Sequence, residues 1–330
     1  MVLATPQSIS HQIDRQQASI DDRPCFICAS GRSGSTHLRL MLDCHPQIAC
    51  SEEIDFMTHL ISNTGEFPQL DRYYQWLETN RIFQGRNLRI DRTLSYPELV
   101  NSFLEQKRDR KPILCAVSHF HFDRLLQLWP QARFIHMVRD GRDVAYSCIR
   151  EKGWSGNPWL ATERWMEAER LWDKIRDRIP NERKLEITYE ELVCQPVQTL
   201  DRICQFLGVS YHPAMMTYHQ TSTYGLPDPR YVGLWQHQFN KRQIQLAEAR
   251  ISEMLVARGY TLSGLRRLKV DAKMQLQLKI QDRLSRIRIR IQRYGLPLMV
   301  LDWLSRRLPL PNFQKRVKFR MNRIDVSLLK

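Results

Sequence analysis

No run of about 20 apolar residues occurs in the 330-residue chain, so no segment reads as a helix that crosses a bilayer. The first residues also lack the short apolar core of a secretory signal. These absences predict a soluble, cytoplasmic protein, peripheral at a membrane at most. A disulfide framework is missing too. The eight cysteines are scattered, and the closest pair, Cys25 and Cys28, brackets Phe26-Ile27 in an apolar run. Residues three apart on a strand point to opposite faces, so this pair suits neither a chelate nor a bridge. Free thiols in a reducing cytosol are expected.

Net charge is nearly absent from most of the chain. The formal total is +15, but residues 266–330 hold 18 Lys and Arg against 4 Asp and Glu. The first 265 residues carry only +1. Basicity therefore belongs to a C-terminal extension and gives the body no claim to specific nucleic acid binding. There is no internal repeat.

What is present has the rhythm of an α/β protein. Residues 1–22 are polar and aperiodic and read as a mobile leader. The runs Cys25–Ala29, Ile113–Val117, Arg133–Val138 and Lys184–Thr188 read as strands. Helical patterns follow at residues 38–42, 143–149 and 159–179. Residues 53–110, rich in aromatic and charged side chains, read as helices and loops of a variable insertion. Its Tyr73, Tyr74, Trp76 and Phe83 suit either a core or an acceptor cleft. The alternation predicts a P-loop-like parallel sheet flanked by helices over residues 23–265, with ligand sites at strand C-termini. Residues 266–330 add a basic helical extension.

The first strand runs into Gly31-Arg32-Ser33-Gly34-Ser35-Thr36 and then into a helix. Glycines let the backbone turn tightly against an anion, and a helix start offers unpaired amides and a positive dipole end. Ser33, Ser35 and Thr36 add hydroxyls, and Arg32 adds a forked cation. A phosphate or sulfate is the natural occupant. A Walker A loop needs four residues between its glycines and then Gly-Lys-Ser/Thr. Here two residues separate Gly31 from Gly34 and no lysine follows, which argues against a P-loop NTPase or nucleotide kinase.

The third strand runs into Arg139-Asp140-Gly141-Arg142-Asp143, with Ser147 on the following helix. Arg139 and Ser147 can hold a second phosphate at that strand edge. A surface pairing of Arg139 with Asp140 or Asp143 is the plainer alternative.

Together the two segments resemble the PAPS-dependent sulfotransferases, and most of all the bacterial and tyrosylprotein branch. That branch carries Arg-Ser-Gly-x-Thr…Met-Leu-Asp-x-His-Pro…Glu-Glu. This chain has Arg32-Ser33-Gly34-Ser35-Thr36, Met41-Leu42-Asp43-Cys44-His45-Pro46 and Glu52-Glu53. Tyr189-Glu190-Glu191-Leu192-Val193 and Phe206-Leu207-Gly208-Val209 also match, so the likeness runs from about residue 24 to about 262. The resemblance implies transfer of a sulfuryl group from 3′-phosphoadenosine 5′-phosphosulfate (PAPS) to a hydroxyl or amine, without a metal. PAP (3′-phosphoadenosine 5′-phosphate) is the second product.

It also implies site roles. Gly31 to Thr36 hold the 5′-phosphosulfate, with Arg32 against the transferring group. Arg139 and Ser147 bind the 3′-phosphate. Tyr189 belongs to a matching segment, and Gly233 and Trp235 lie in a segment that resembles the one closing over the nucleotide. Ser222 resembles a serine near the sulfate. Two residues are candidate bases: Glu53, which matches the second glutamate, and His119, placed like a catalytic histidine after the strand ending at Val117. A lysine expected at position 117 is absent, which leaves Arg32 more of the charge to stabilise. The acceptor is not legible.

In the tail, Leu276, Ile280, Leu284, Ile287, Ile291 and Tyr294 recur at helical spacing between arginines. Such a helix suits an anionic membrane surface, or packing on the body or a second subunit.

Overall fold

The computed structural model describes residues 23–150 and 153–327. The expected mobile leader, 1–22, lies outside the described residues. Five parallel strands form one sheet in the order β2-β3-β1-β4-β5. They are β1 Cys25–Ala29, β2 Ile48–Glu53, β3 Ile113–Ser118, β4 Arg133–Val138 and β5 Lys184–Thr188. Every residue of β1, β3 and β4 is buried. Continuous burial is what a parallel sheet covered on both faces demands, and it explains why these strands read as unbroken apolar runs.

Alternate residues feed two cores. Phe26 and Cys28 of β1 pack with Tyr73, Tyr74, Phe83, Phe103 and Trp172 on one face. Cys25, Ile27 and Ala29 pack with Leu38, Met41, Leu42 and Leu200 on the other. Cys25 and Cys28 thus point to opposite faces as expected, and no disulfide joins any of the cysteines among the described residues. Tyr73, Tyr74 and Phe83 belong to the core.

The helices that position the site are α1 Ser35–Asp43, α2 Tyr96–Glu105, α3 Gly141–Arg150, α4 Glu163–Arg176, α5 Pro196–Leu207 and α6 Lys241–Ala257. Local chemistry sets their ends. Ser95 and Glu98 form a capping box at the start of α2. Pro196 opens α5, and Gly208 closes it in the left-handed conformation.

Three further helices make up the basic extension: α7 Ala272–Tyr294, α8 Leu296–Ser305 and α9 Pro311–Ser327. None of the described helices is long and apolar enough to cross a membrane. The extension docks on the body through contacts along its length, among them Arg242 to Met274 Sδ at 3.5 Å and Gln245 to the Arg266 carbonyl at 2.8 Å. Asp282 of α7 accepts from Ser155 Oγ and Gly156 N, and Lys315 of α9 pairs with Glu78 at 2.6 Å. On α7, Leu278 and Asp282 are the buried residues. The apolar stripe read from the sequence faces the other way. Leu276, Ile280 and Leu284 are 60%, 51% and 61% exposed.

Strand β2 was not expected. Residues Ile48 to Ser51 pair in step with β3, but the register shifts between Ser51 and Glu53, so that Glu53 rather than Glu52 stands opposite Val117. A β-bulge turns the side chain that follows it to the other face. Ser51 is paired with Ala116 of the first core; Glu53, paired with Val117, joins the α1 face.

Candidate active site

Strand β1 ends at Ala29 and α1 begins at Ser35, so residues 30–34 must reverse the chain. Ser33 N donates to the Ser30 carbonyl, and Arg32 and Gly34 take left-handed φ angles of 76° and 92°. At Gly34 a Cβ would lie 2.4 Å from Cδ2 of Tyr189, so only glycine fits both the turn and the ring. The first turn of α1, which holds Ser35 and Thr36, contains no acidic side chain. The amides of His37 and Leu38 donate to the Gly34 carbonyl, while those of Ser35 and Thr36 precede any i−4 acceptor in the helix and mark its positive end. Ser33 Oγ is buried and has no hydrogen-bond partner among the described residues. Gly31 borders Trp154.

Arg139, at the end of β4, ties this loop to the neighbouring strand. Its Nη1 donates to the Arg32 carbonyl (3.1 Å) and its Nη2 to the Tyr231 carbonyl (2.9 Å). The guanidinium lies 4.1 Å over the Tyr189 ring, while Nε is buried with no partner among the described residues. Arg32 Nε donates to Ser147 Oγ at 2.9 Å. Arg32 therefore reaches toward α3 and stands with Arg139 and Ser147. Tyr189 is placed under both Gly34 and Arg139 by the capping box of Thr188 and Glu191.

Of the acids in the Arg139–Asp143 segment, Asp143 pairs with Arg139 at 3.9 Å, with both side chains buried and not at the surface. Asp140 and Glu248 clamp Arg142 at 2.7 and 2.6 Å. Asp143 accepts from Gly233 N (2.8 Å) and Trp235 N (2.9 Å). The Trp235 indole donates to Asp140 and carries Arg142 at 3.7 Å over its ring. Gly233 and Trp235 are thus held at the start of α3, just beyond Tyr231, whose carbonyl Arg139 also binds. Ser222 closes a local turn with Tyr224.

The two candidate bases meet. Glu53 Oε1 is 3.5 Å from His119 Nε2, and Ser35 Oγ is 3.4 Å from the same nitrogen. His119 Nδ1 donates to the Ala29 carbonyl at 2.9 Å. Burial opposes charge on the imidazole. The hydrogen bond and charge of Glu53 outweigh it, with help from Asp55, and lift the pKa to about 9. Glu53 is held below the usual carboxylate range, chiefly by the bond to His119, with partial burial opposing. At neutral pH the pair is imidazolium and carboxylate.

Two residues unmarked in the sequence support this pair. Buried Asp55 accepts from Ser118 Oγ and from the amides of His119 and Phe120, fixing the turn after β3. Arg86 pairs with Glu52 at 2.8 Å and donates to the Glu53 carbonyl at 3.0 Å. Nothing in composition or spacing separates either from the other charges of the insertion.

The sulfotransferase family profile matches residues 24–213. Over 203 residues the chain is 26% identical to protein-tyrosine sulfotransferase A of Caenorhabditis elegans, which covers 59% of this chain and 52% of that protein. Over 214 residues it is 27% identical to protein-tyrosine sulfotransferase 2 of Gallus gallus, with coverage of 61% and 55%. The chain spans about half the length of the curated relatives it matches. Among solved structures, the sulfotransferase domain from the curacin biosynthetic pathway superposes with a TM-score of 0.50 at 19% identity. That match covers 73% of this chain and 98% of that one, and shows a shared fold. With its glycine turn, paired strand-end cations and more than half its length inside the profile, the chain belongs to the sulfotransferase family.

Proposed function

We propose that this protein transfers a sulfuryl group from PAPS to an acceptor hydroxyl. The observation that carries the reading is the joining of two cationic cradles across adjacent strand ends, β1 and β4, by the bond from Arg139 to the Arg32 carbonyl. PAPS bears anionic groups on both sides of its ribose, and ATP has no 3′-phosphate. Gly31 to Thr36 fit the 5′-phosphosulfate, where the partnerless Ser33 hydroxyl would donate. Arg139, Ser147 and Arg32 fit the 3′-phosphate, and the free Nε of Arg139 supports that placement.

The donor supplies an electrophilic sulfur whose bond to the 5′-phosphate oxygen breaks, the electron pair leaving with PAP. Glu53 takes the acceptor's proton as the new oxygen–sulfur bond forms. His119, protonated, holds the carboxylate in place and sets positive charge beside the loop, two residues beyond the position where Val117 replaces a lysine.

Calorimetry tests the donor site. The protein should bind PAP well ahead of 5′-AMP or ATP with magnesium. Arg139→Ala should weaken PAP by about 2 kcal/mol, roughly 30-fold, and 5′-AMP by less, through the lost bond to the Arg32 carbonyl alone. Tighter binding of ATP, or no preference for the 3′-phosphate, would reject the reading.

We further propose that the outward face of α7 rests on an anionic membrane surface. An apolar row of Leu276, Ile280 and Leu284 on an extension of net charge +14 supports this. Full-length protein should float with phosphatidylserine vesicles, less so at high salt, and not with phosphatidylcholine alone. The triple variant L276S, I280S, L284S should stay in the soluble fraction; flotation equal to wild type would end the idea. Eight cysteines outside any disulfide among the described residues favour a cytoplasmic, reducing location.

A further inference from the structure

Beside the phosphate loop lies a cleft of about 370 Å³, which neither motif explains. Its lining includes the next residues along from the site, Phe120 after His119 and Cys148 after Ser147. Trp154 lines it and also borders Gly31 of the loop. The opposite wall lies beyond the family match, which ends at residue 213, and comes from Lys279, Asp282 and Arg286 of α7.

That wall is fixed. Asp282 accepts from Ser155 Oγ and Gly156 N, both at 2.7 Å, and Asn157 Nδ2 donates to the Leu278 carbonyl at 2.8 Å. A Cβ on Gly156 would come within 2.6 Å of Ser285 Cβ, so this glycine is what lets the helix approach. A wall held this way can position a ligand.

The lining mixes aromatic faces with charges of both signs. The Arg164 guanidinium lies 4.8 Å over the Trp154 ring and 5.7 Å over that of Phe120. Glu167 and Lys279 face the cleft without an ion pair among the described residues, and Arg286 pairs with Asp282 at 2.8 Å. A lipid chain would strip water from these charges and return no hydrogen bonds, and a tyrosyl ring would return only those of its single hydroxyl. Vicinal hydroxyls donate to a carboxylate and accept from ammonium and guanidinium groups, while the C–H face of a pyranose packs on aromatic rings. The volume falls in the lower part of the small-ligand range, roughly 300–1,000 Å³.

We propose that this cleft is the acceptor site, that it takes a hydroxyl-rich acceptor of sugar size, and that α7 of the extension determines specificity there. The inference rests on the sulfuryl-transfer reading. Radiolabelled PAPS would be offered to the full-length protein with a hexose, an N-acetylhexosamine, a hexuronic acid, a tyrosine-containing acidic peptide and a long-chain alcohol. PAP affinity would be measured in parallel. Label should enter at least one sugar ahead of the peptide and the alcohol. Lys279→Ala and Arg164→Ala should each raise the KM for that sugar about tenfold, the loss of one charged hydrogen bond, with PAP affinity unchanged. Failure to bind PAP at all would defeat the donor reading itself. Normal PAP affinity with label entering the peptide or alcohol, or none of the five, would overturn the acceptor inference alone. An unchanged sugar KM in Lys279→Ala would remove α7 from recognition.

Discussion

Glu53→Gln is expected to lower the turnover number for sulfuryl transfer by about 10²–10⁴-fold, the span over which a positioned general base acts. Glutamine keeps the side chain's size and can still bond His119, but it cannot take the acceptor's proton. PAP affinity should be retained, because Glu53 stands on β2, away from the Arg139 cradle. Near-normal turnover in this variant would exclude Glu53 as the base.

The pH profile provides a second readout of the same pair. His119 is raised to about 9 and Glu53 is lowered. The stabilisation linked to His119 is complete below its unfolded value of about 6.5 and is lost as pH rises through about 9. That linked to Glu53 is complete above its unfolded value of about 4.5 and is lost as pH falls through its lowered folded value. Turnover should therefore be bell-shaped, with the basic limb at about 9. His119→Gln should remove that limb and move the acidic limb upward toward the ordinary carboxylate value. A basic limb unchanged in the variant would belong to some other group.

Gly34→Ala is expected to cost PAP at least about 100-fold in affinity, measured by calorimetry. An alanine at φ 92° carries a strain of about 1–2 kcal/mol. Its Cβ would also overlap the Tyr189 ring, at 2.4 Å from Cδ2 and 2.8 Å from Cε2. That ring supports Arg139, so relief of the overlap disturbs both anion cradles at once. Together these should exceed about 3 kcal/mol, which is the hundredfold. Gly31→Ala is the control within the loop. Its φ is not left-handed and its added methyl would meet Trp154 at an ordinary 3.5 Å, so PAP binding should change little. Equal losses in the two variants would show that the Tyr189 contact is not what shapes the loop.

Much of this was legible in the sequence because parallel strands leave dense signals. Cys25–Ala29, Ile113–Ser118 and Arg133–Val138 are buried on both faces, so they read as runs even without an alternating pattern. The loop and the Arg139 segment were legible because their residue types stand at strand ends. Strand β2 was hidden. It lies at the sheet edge, pairs only with β3 and ends in Ser51-Glu52-Glu53, which looks like the start of a polar insertion. The bulge that turns Glu53 toward His119 depends on pairing with a strand some sixty residues later, which no local pattern carries. Asp55 was missed for a similar reason: its partners, Ser118 to Phe120, are remote in sequence. In the extension, periodicity located the helix but not its inner face. That face turns on a buried carboxylate, Asp282, and not on the leucine row.

The order of the strands separates two tasks. The residues assigned to the donor hang from β1 and β4, while the base pair and its supports hang from β2 and β3, and the far wall of the cleft comes from a helix that follows the family match. Only the far wall can change without touching either the donor cradle or the base pair. The expensive half of the machine, which must recognise one unvarying reagent, is thereby insulated from the wall that faces a changing chemical environment. On the proposed assignment, substitutions on the cleft face of α7 would change the choice of acceptor and leave the PAPS cradle as it is.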